Sequence, residues 1–233
     1  MGFNKQLASL IREASCSLFV GDRGSGKSSL MALAARDSIK VGRPVYCQYP
    51  YKGAYCIPMI EKTVGGVKTA VVDKKWLYSA DLSDAVIMID EARTVWNARD
   101  FKNWNENDEQ FFNFIRKYNT SLILATQRYD GLDLNIRCAS DYTFFIQRSK
   151  FFKNLSTVDV SRTCQVKIAD KNTQIVSRGY SKNAMKVVWD IAEMPISYCF
   201  FYRKPYYGDF ETNYVTEEKL PVEPVLWDTL IAK

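Results

Sequence analysis

The stretch "SLFVGDRGSGKSSLMALAARDSIK", Ser17 to Lys40, decides the fold of this 233-residue chain. An apolar run leads into "GDRGSGKS", which matches G-x-x-x-x-G-K-[ST] in full, and a helix-forming run follows. Glycines allow the tight turn in which successive N–H groups converge on phosphate oxygens, and the helix directs its positive end at the same anion. The pattern therefore predicts a buried strand, a phosphate-binding loop and a helix. A glycine-rich turn without a ligand is the alternative, but it does not explain the strand and helix on either side.

The loop also supplies groups for a nucleotide and its metal ion. We expect Lys27 to reach the β and γ phosphates as a point charge, and the Ser28 hydroxyl to ligate Mg²⁺. ATP and Mg²⁺ are therefore the predicted cofactors. The predicted cofactor-binding residues are Gly21, Asp22, Arg23, Gly24, Ser25, Gly26, Lys27, Ser28 and Ser29.

A second apolar run, in "DAVIMIDEAR", ends in two carboxylates. Residues 85–89 predict a buried parallel strand, and Asp90 and Glu91 then lie at the carboxyl edge, where open α/β sheets bind ligands. We expect Asp90 to hold Mg²⁺ through water and Glu91 to polarise an attacking water, which suits hydrolysis. Surface charge at a strand end is the alternative.

A third apolar strand, in "TSLILATQRYDG", ends at Thr126 and Gln127. We expect this polar pair to reach the γ-phosphate or the attacking water, although a satisfied strand-end amide is an equal alternative. The order of the motifs predicts an additional strand between the first and the third, the layout of motor-type ATPases. The chain has no N-K-x-D to recognise guanine and no obvious arginine-rich lid, which disfavours a GTPase and a small-molecule kinase.

Composition limits the remaining chemistry. The chain has no histidine, and its six cysteines form no C-x-x-C pair, so a zinc site or a histidine base is not expected. No window approaches the roughly 18 consecutive apolar residues of a membrane span. We expect a single domain, residues 1–233, in a reducing, cytoplasmic compartment. The net charge of +6 permits a nucleic-acid partner but fits a generic soluble surface equally well.

Three segments together resemble a known family: "GDRGSGKS", "VIMIDEAR" and "LILATQRYDGLDLNIRCASDY". They look like the zonular occludens toxin-like group, the assembly ATPases of filamentous phages, within the FtsK–HerA class of DNA-pumping ATPases. The resemblance covers roughly residues 17–148 and implies an ATP-driven motor that acts on DNA as a homo-oligomeric ring, with six subunits expected. By motif position, the family's nucleotide roles fall on Lys27, Ser28, Asp90, Glu91 and Gln127.

The chain departs from that group in one respect. The phage assembly ATPases carry a membrane span and a further domain after the ATPase domain, and this sequence shows neither. We therefore expect a genome-packaging type of motor with no transmembrane segment, and a capsid or envelope protein as a possible partner. The alternative is a nucleotide-gated assembly scaffold that contacts a shell or envelope component without pumping DNA.

Ring ATPases need an arginine donated across the subunit interface, because a guanidinium best meets the charge on the transferring phosphate. The candidates are Arg128, Arg137 and Arg148. We prefer Arg137, in a polar link between two strands, because Arg128 has the alternative of orienting Gln127 and Arg148 that of capping a strand. The predicted catalytic set is Lys27, Glu91, Gln127 and Arg137.

Two segments combine aromatic and basic residues in a way that suits DNA. The first contains Trp96, Arg99, Lys102 and Trp104, although its tryptophans are more simply anchors for a loop. The second is "RSKFFKN", residues 148–154. Between them, apolar positions 111, 112, 114, 115 and 118 predict a core-facing helix.

The fold class predicted for the whole chain is α/β. It is a P-loop NTPase (RecA/ASCE-like) with a mainly parallel sheet flanked by helices, a C-terminal β-hairpin and an extended arm. Residues 1–148 form the nucleotide-binding core and residues 149–233 the β-rich extension. The hairpin should turn at "ADKNT", and the arm should dock on a neighbour or on its own domain through Trp227 and Leu230.

Overall fold

The structure is a computed structural model that describes residues 2–64, 67–98, 104–169, 187–210 and 223–231. The helices are α1 (Gly2–Glu13), α2 (Lys27–Lys40), α3 (Lys74–Ser79), α4 (Glu106–Lys117), α5 (Leu134–Ala139) and α6 (Trp227–Ile231). The strands are β1 (Cys16–Val20), β2 (Val45–Cys47), β3 (Tyr55–Cys56), β4 (Met59–Val64), β5 (Val67–Val72), β6 (Val86–Ile89), β7 (Ser121–Thr126), β8 (Tyr142–Arg148), β9 (Leu155–Ala169) and β10 (Val187–Tyr202).

Eight of the strands form one sheet in the order β10-β9-β8-β1-β7-β6-β2-β3. The six strands from β8 to β3 run parallel, while β9 and β10 add an antiparallel edge. Strands β4 and β5 pair separately as a hairpin. The central strands β1, β6 and β7 are mostly apolar and fully buried because helices cover both of their faces. The predicted α/β fold with a mainly parallel sheet is confirmed.

The expectation of a further strand between the first and third apolar strands is wrong in its position. Strand β1 pairs directly with β7, in a register that places Phe19 opposite Ala125. The inserted strand is β7 itself, which pairs with β1 on one side and with β6 on the other. The three motif-bearing strands are therefore direct neighbours, which brings their C-terminal ends together.

Side chains that alternate along the strands pack into two hydrophobic cores, one on each face of the sheet. In β1, Phe19 packs on the side covered by α1 and α2, and Leu18 packs on the side covered by α3, α4 and α5. The N-terminal helix α1 buries Leu7 and Ile11. The phosphate loop is thus held between a buried strand and a helix whose first two turns are packed in the core.

Helix α4 faces the core with a narrower stripe than the sequence predicts. Phe111, Phe112 and Ile115 are buried, but Phe114 is 40% exposed and Tyr118 is 54% exposed. The last two residues flank the buried stripe rather than continue it, and their rings contact each other at 5.9 Å between centroids.

The C-terminal region forms a long hairpin and returns to the domain. Strands β9 and β10 pair antiparallel, as the predicted C-terminal β-hairpin requires. The predicted turn at "ADKNT" lies mostly outside the described residues. Trp227, at the end of the arm, is fully buried and donates its indole N–H to Cys47 O at 3.1 Å. Of the two expectations for the arm, docking on its own domain is therefore the one seen.

Candidate functional site

Polar residues follow the C-terminal ends of β1, β6 and β7 at one edge of the sheet. The register places Val20 beside Thr126 and Ile89 beside Leu124, so the segments after these strands emerge side by side. Such an edge is where open α/β sheets bind their ligands.

Glycine is required at both ends of the phosphate loop. A Cβ at Gly21 would collide with the backbone oxygen of Ile146, and a Cβ at Gly26 would lie 2.6 Å from Cδ of Arg203. Gly26 also has φ of 115°, a left-handed conformation that favours glycine. The two fixed glycines of the motif are thus explained by close packing as well as by the turn.

The N-terminus of α2 is open toward the loop. Gly26 is its N-cap, and no side chain of the described residues caps the helix. The hydroxyl of Ser25 is buried and has no hydrogen-bond partner among the described residues. Free N–H groups and a free hydroxyl at the positive end of a helix form a site for phosphate oxygens.

Lys27 lies inside this loop and is only 8% exposed. Its Nζ donates to the carbonyl oxygen of Gly21 at 2.7 Å and to that of Asp22 at 3.2 Å. Burial lowers the pKa of Lys27, whereas the nearby charges of Asp90 and Glu91 raise it. The ammonium group and the two carboxylates therefore share one site, as the sequence predicts.

Asp90 and Glu91 leave β6 through an unusual backbone conformation. Glu91 has φ of 48°, and its N–H donates to Oδ1 of Asp90 at 2.9 Å. Burial raises the pKa of Asp90, with a further increase from Glu91, while that hydrogen bond and Lys27 act in the opposite direction. A left-handed residue at a strand end costs free energy and is retained where the site requires it.

Gln127 contacts the candidate base directly. Its Nε2 donates to Oε1 of Glu91 at 2.6 Å. The Gln127 amide therefore has a hydrogen-bond partner, which was one of the two expectations. That partner is Glu91, the carboxylate to which the sequence assigns the activation of water. The structure thus brings together Lys27, Asp90, Glu91 and Gln127, and their catalytic roles remain predictions.

No hydrogen bond or ion pair of the described residues joins Arg137 to this group. It lies on α5, a short helix whose N-cap Asp133 accepts from Asn135 N–H at 2.8 Å, not in a polar link between strands. Its guanidinium lies 5.1 Å from the centroid of the Tyr129 ring. After α5 the chain enters β8 at the opposite edge of the sheet, where Asp141 N–H donates to Cys16 O.

For the other two arginine candidates, Arg128 and Arg148, the structure contradicts one of the alternatives given above. Arg128 pairs with Asp130 at 3.1 Å, while Gln127 is held by Glu91, so Arg128 does not orient Gln127. Arg148 is the last residue of β8 and is exposed at the same edge as the phosphate loop.

The two aromatic and basic segments have different environments. Trp96 is buried and packs on Phe112, and Trp104 stacks on the same ring, so these tryptophans anchor a loop to α4. Arg99 and Lys102 lie outside the described residues. In the second segment, Phe151 is 90% exposed and Phe152 is 66% exposed. Only this second segment presents described aromatic side chains to solvent.

Two residues that the sequence does not predict, Arg203 and Ser156, contact the outer side of the phosphate loop. Nη1 of Arg203 donates to Gly24 O at 3.1 Å, and the Ser156 hydroxyl donates to Ser25 O at 2.5 Å. Arg203 and Gly24 are 179 positions apart, and no local pattern marks the contact.

A cavity of about 560 Å³ lies elsewhere, between α3 and α4. Its lining includes Leu82, Ser83 and Thr120, which precede β6 and β7. It therefore lies at the N-terminal edge of the sheet and does not belong to the site described above.

Comparison with known proteins gives one family and several similar folds. The family model described as zonular occludens toxin (Zot) matches residues 57–189. The N-terminal domain of zonular occludens toxin from Neisseria meningitidis is 20% identical, with a TM-score of 0.52 over 85% of this chain and 99% of that chain. The genome packaging NTPase B204 of Sulfolobus turreted icosahedral virus 2, in complex with ATP-gammaS, is 19% identical, with a TM-score of 0.42 over 58% and 75%. No curated protein sequence matches.

The likeness to the Neisseria domain concerns the fold, and it confirms the predicted P-loop NTPase architecture. Within the part of the chain that is described, no helix has both the length and the apolar character needed to cross a bilayer.

Proposed function

The chain belongs to the zonular occludens toxin family, and on this premise we propose that it is an ATP-hydrolysing motor that translocates viral DNA during virion assembly. The observation that carries the proposal is the convergence at one sheet edge of the phosphate loop, Asp90, Glu91 and Gln127. Hydrolysis requires a bound triphosphate and a carboxylate that activates water, and the phosphate loop and Glu91 are the groups we assign to these two roles.

The phosphate loop binds the nucleotide in this account. Backbone N–H groups at the start of α2 face the phosphates, and Lys27 exchanges its bonds to Gly21 O and Asp22 O for phosphate oxygens. Because the loop carbonyls already hold the ammonium group in place, little rearrangement is needed.

Mg²⁺ fits the residues present. Ser28 at the start of α2 and Asp90 at the end of β6 are the ligands we assign, directly or through water. The described residues contain no cluster of three or more His, Cys, Asp or Glu that would hold a metal by itself. A sparse protein ligand set suits Mg²⁺, which keeps its waters and binds through nucleotide phosphates. When bound, it neutralises charge on the β and γ phosphates.

Glu91 acts as the general base, and Gln127 holds it. The amide of Gln127 donates to one carboxylate oxygen, Oε1, which leaves Oε2 to accept a proton from water. The strained backbone at Glu91 turns the side chain toward Gln127, and therefore toward the neighbouring strand β7. Positioning of this kind holds the Glu91 carboxylate in one orientation relative to the attacking water.

We assign the chain to the FtsK–HerA type of motor, active in the cytoplasm as a homo-oligomeric ring of six subunits. No hydrogen bond or ion pair of the described residues joins Arg137 to the phosphate loop, and we propose that it acts on the nucleotide of a neighbouring subunit. DNA is the proposed substrate polymer, and a capsid or envelope protein is a further proposed partner.

A displacement assay tests the proposal. DNA carrying a biotin is bound to streptavidin, and a motor that moves along DNA removes the streptavidin when ATP is added. The wild-type protein is expected to displace it, and Glu91→Gln, which retains the fold, is not. DNA binding without ATP-dependent displacement would instead favour a nucleotide-gated scaffold, the second function that the sequence allows.

A further inference from the structure

Arg203 is a buried cation that contacts the outer side of the phosphate loop. It follows β10 directly and is only 6% exposed. Nη1 donates to Gly24 O at 3.1 Å, and Nη2 donates to Lys153 O. Nε has no hydrogen-bond partner among the described residues, and no described carboxylate forms an ion pair with the guanidinium. A buried charge without a counter-charge is costly, so its retention at this place requires a reason.

A second contact holds the next peptide of the loop. The hydroxyl of Ser156, at the start of β9, donates to Ser25 O at 2.5 Å, and Ser156 is fully buried. In a trans peptide the N–H points opposite to the C=O. Holding Ser25 O from behind therefore directs the N–H of Gly26 to the inner side of the loop, where phosphate binds.

Arg203 acts on the preceding peptide in the same way. Its bond to Gly24 O fixes the opposite N–H, that of Ser25, which donates to Asp22 O at 3.1 Å inside the loop. Burial lowers the pKa of Arg203, and the nearby cation of Arg148 lowers it further, yet an arginine keeps its charge. The guanidinium is thus a permanent donor to two backbone carbonyls.

The same side chain reaches the turn that carries the exposed phenylalanines. Lys153 O accepts from Nη2, and Asn154 O accepts from the backbone N–H of Arg203 at 2.9 Å. This turn, residues 149–154, presents Phe151 and Phe152 to solvent. One residue therefore joins the phosphate loop to a solvent-exposed aromatic turn.

We propose that Arg203 is a positioning residue of the nucleotide site, which fixes the phosphate loop in its binding conformation and couples it to the 149–154 turn. The proposal rests on the proposed function only in taking the loop as a nucleotide site. Coupling between two sites is reciprocal, so nucleotide in the loop must also change the stability of the turn.

The first test is nucleotide affinity. Titration with ATPγS compares the wild type with Arg203→Met, Arg203→Lys and Ser156→Ala. Arg203→Met is expected to bind about tenfold more weakly, the scale of one lost charge-assisted hydrogen bond. Arg203→Lys should be weakened as well, because an ammonium group lacks the planar fork that serves two carbonyls. The matched control is Arg162→Met, an exposed arginine in the same hairpin but paired opposite Tyr142 at the other end of β8.

The second test separates positioning from general stability. Trypsin cleavage after Lys150 and Lys153 is measured with and without ATPγS. The nucleotide should change the cleavage rate in the wild type and in Arg162→Met but not in Arg203→Lys. A melting temperature of Arg203→Lys within about 4 °C of the wild type shows that the fold is intact.

The outcomes distinguish failure of the Arg203 proposal from failure of the proposed function. Wild-type affinity in Arg203→Lys and Ser156→Ala would overturn the proposal while leaving the proposed function standing. A wild type that binds no ATPγS would overturn the proposed function instead. If Arg203→Met does not fold, Arg203→Lys and Ser156→Ala still carry both tests.

Discussion

At Glu91 the chain accepts a left-handed backbone conformation, with φ of 48°, to bring a carboxylate against Gln127. Such a conformation in a non-glycine residue costs about 1–3 kcal/mol, and it persists because the end of β6 and its neighbour β7 fix the position. The strained backbone and the 2.6 Å hydrogen bond both belong to Glu91. Backbone and side chain of Glu91 are therefore both held in place.

Replacing Glu91 by Gln should preserve ATP binding and stop turnover, because the shape is kept and the proton acceptor is lost. A fall in kcat of about 10²–10⁴ is expected for the loss of a general base. Steady-state hydrolysis and a parallel nucleotide titration measure the two effects. Glu109→Gln, an exposed acid on α4, is the matched control. Hydrolysis at the parental rate would remove Glu91 from the mechanism.

The predicted site residues that the structure brings together share one property. Asp90, Glu91 and Gln127 closely follow apolar runs, and Lys27 opens the helix after the phosphate loop, so local pattern is enough to place them. Arg203 contacts the loop because the antiparallel pair β9 and β10 returns the chain to the edge of the sheet that carries the loop. A contact created by tertiary structure leaves no such local pattern.

At the scale of elements, Asp108 joins three segments around the site. It is fully buried and accepts from Nζ of Lys74 and from Nε1 of Trp96, both at 2.7 Å, and from the hydroxyl of Tyr78. Its other oxygen accepts from Asn105 N–H, which completes a capping box at the start of α4. Helices α3 and α4 and the segment after Glu91 are therefore tied to one carboxylate.

Asp108→Asn should destabilise the protein by about 3–5 kcal/mol, because Lys74 loses its buried partner. Urea unfolding measures the change, with Asp81→Asn as an exposed control. Burial alone would raise the pKa of Asp108, but the contacts from Lys74, Tyr78 and Trp96 outweigh it and lower the pKa.

The lowered pKa of Asp108 gives a pH dependence with a definite sign. The unfolded carboxyl has a pKa of about 3.9, so the stabilisation is complete above that value and is lost as the pH falls through the lower, folded pKa. The wild type should lose stability over this range more steeply than Asp108→Asn. Equal slopes in acid would contradict the assignment.

Sequence periodicity predicts which elements form better than how much of each is buried. Helix α2 and strands β1, β6 and β7 lie where the sequence patterns place them. Phe114 and Tyr118 fit the same pattern as Phe111 and Ile115, yet they are exposed. The pattern marks apolar positions, but the width of the buried stripe depends on how much of the sheet face is left for α4 to cover.

At the scale of the whole molecule, the sheet order was beyond the sequence analysis. Parallel pairing of β1 with both β7 and β8 joins segments that are distant in the chain. The burial of Trp227 against Cys47 is equally long-range. Apolar runs identify strands but do not specify their partners, because every buried strand offers the same backbone groups to its neighbours.

Arg137→Ala should fold and bind ATP but hydrolyse it far more slowly in the assembled ring. An arginine supplied in trans stabilises charge on the transferring phosphate and is typically worth ~10³–10⁵ in rate. Mixing Arg137→Ala subunits with Glu91→Gln subunits should restore part of the activity, because some interfaces then pair an intact acid with an intact arginine. Slow hydrolysis without rescue would place Arg137 in its own subunit's site, and full activity of the variant would exclude it.

The central claim is that ATP hydrolysis at this site is coupled to DNA. It is tested most directly by the ATPase rate with no DNA, with single-stranded DNA and with double-stranded DNA, using Lys27→Ala as the nucleotide-binding control. The account predicts hydrolysis by the wild type that at least one form of DNA accelerates, and none by Lys27→Ala under any condition. A wild-type rate that neither form of DNA changes would contradict the account.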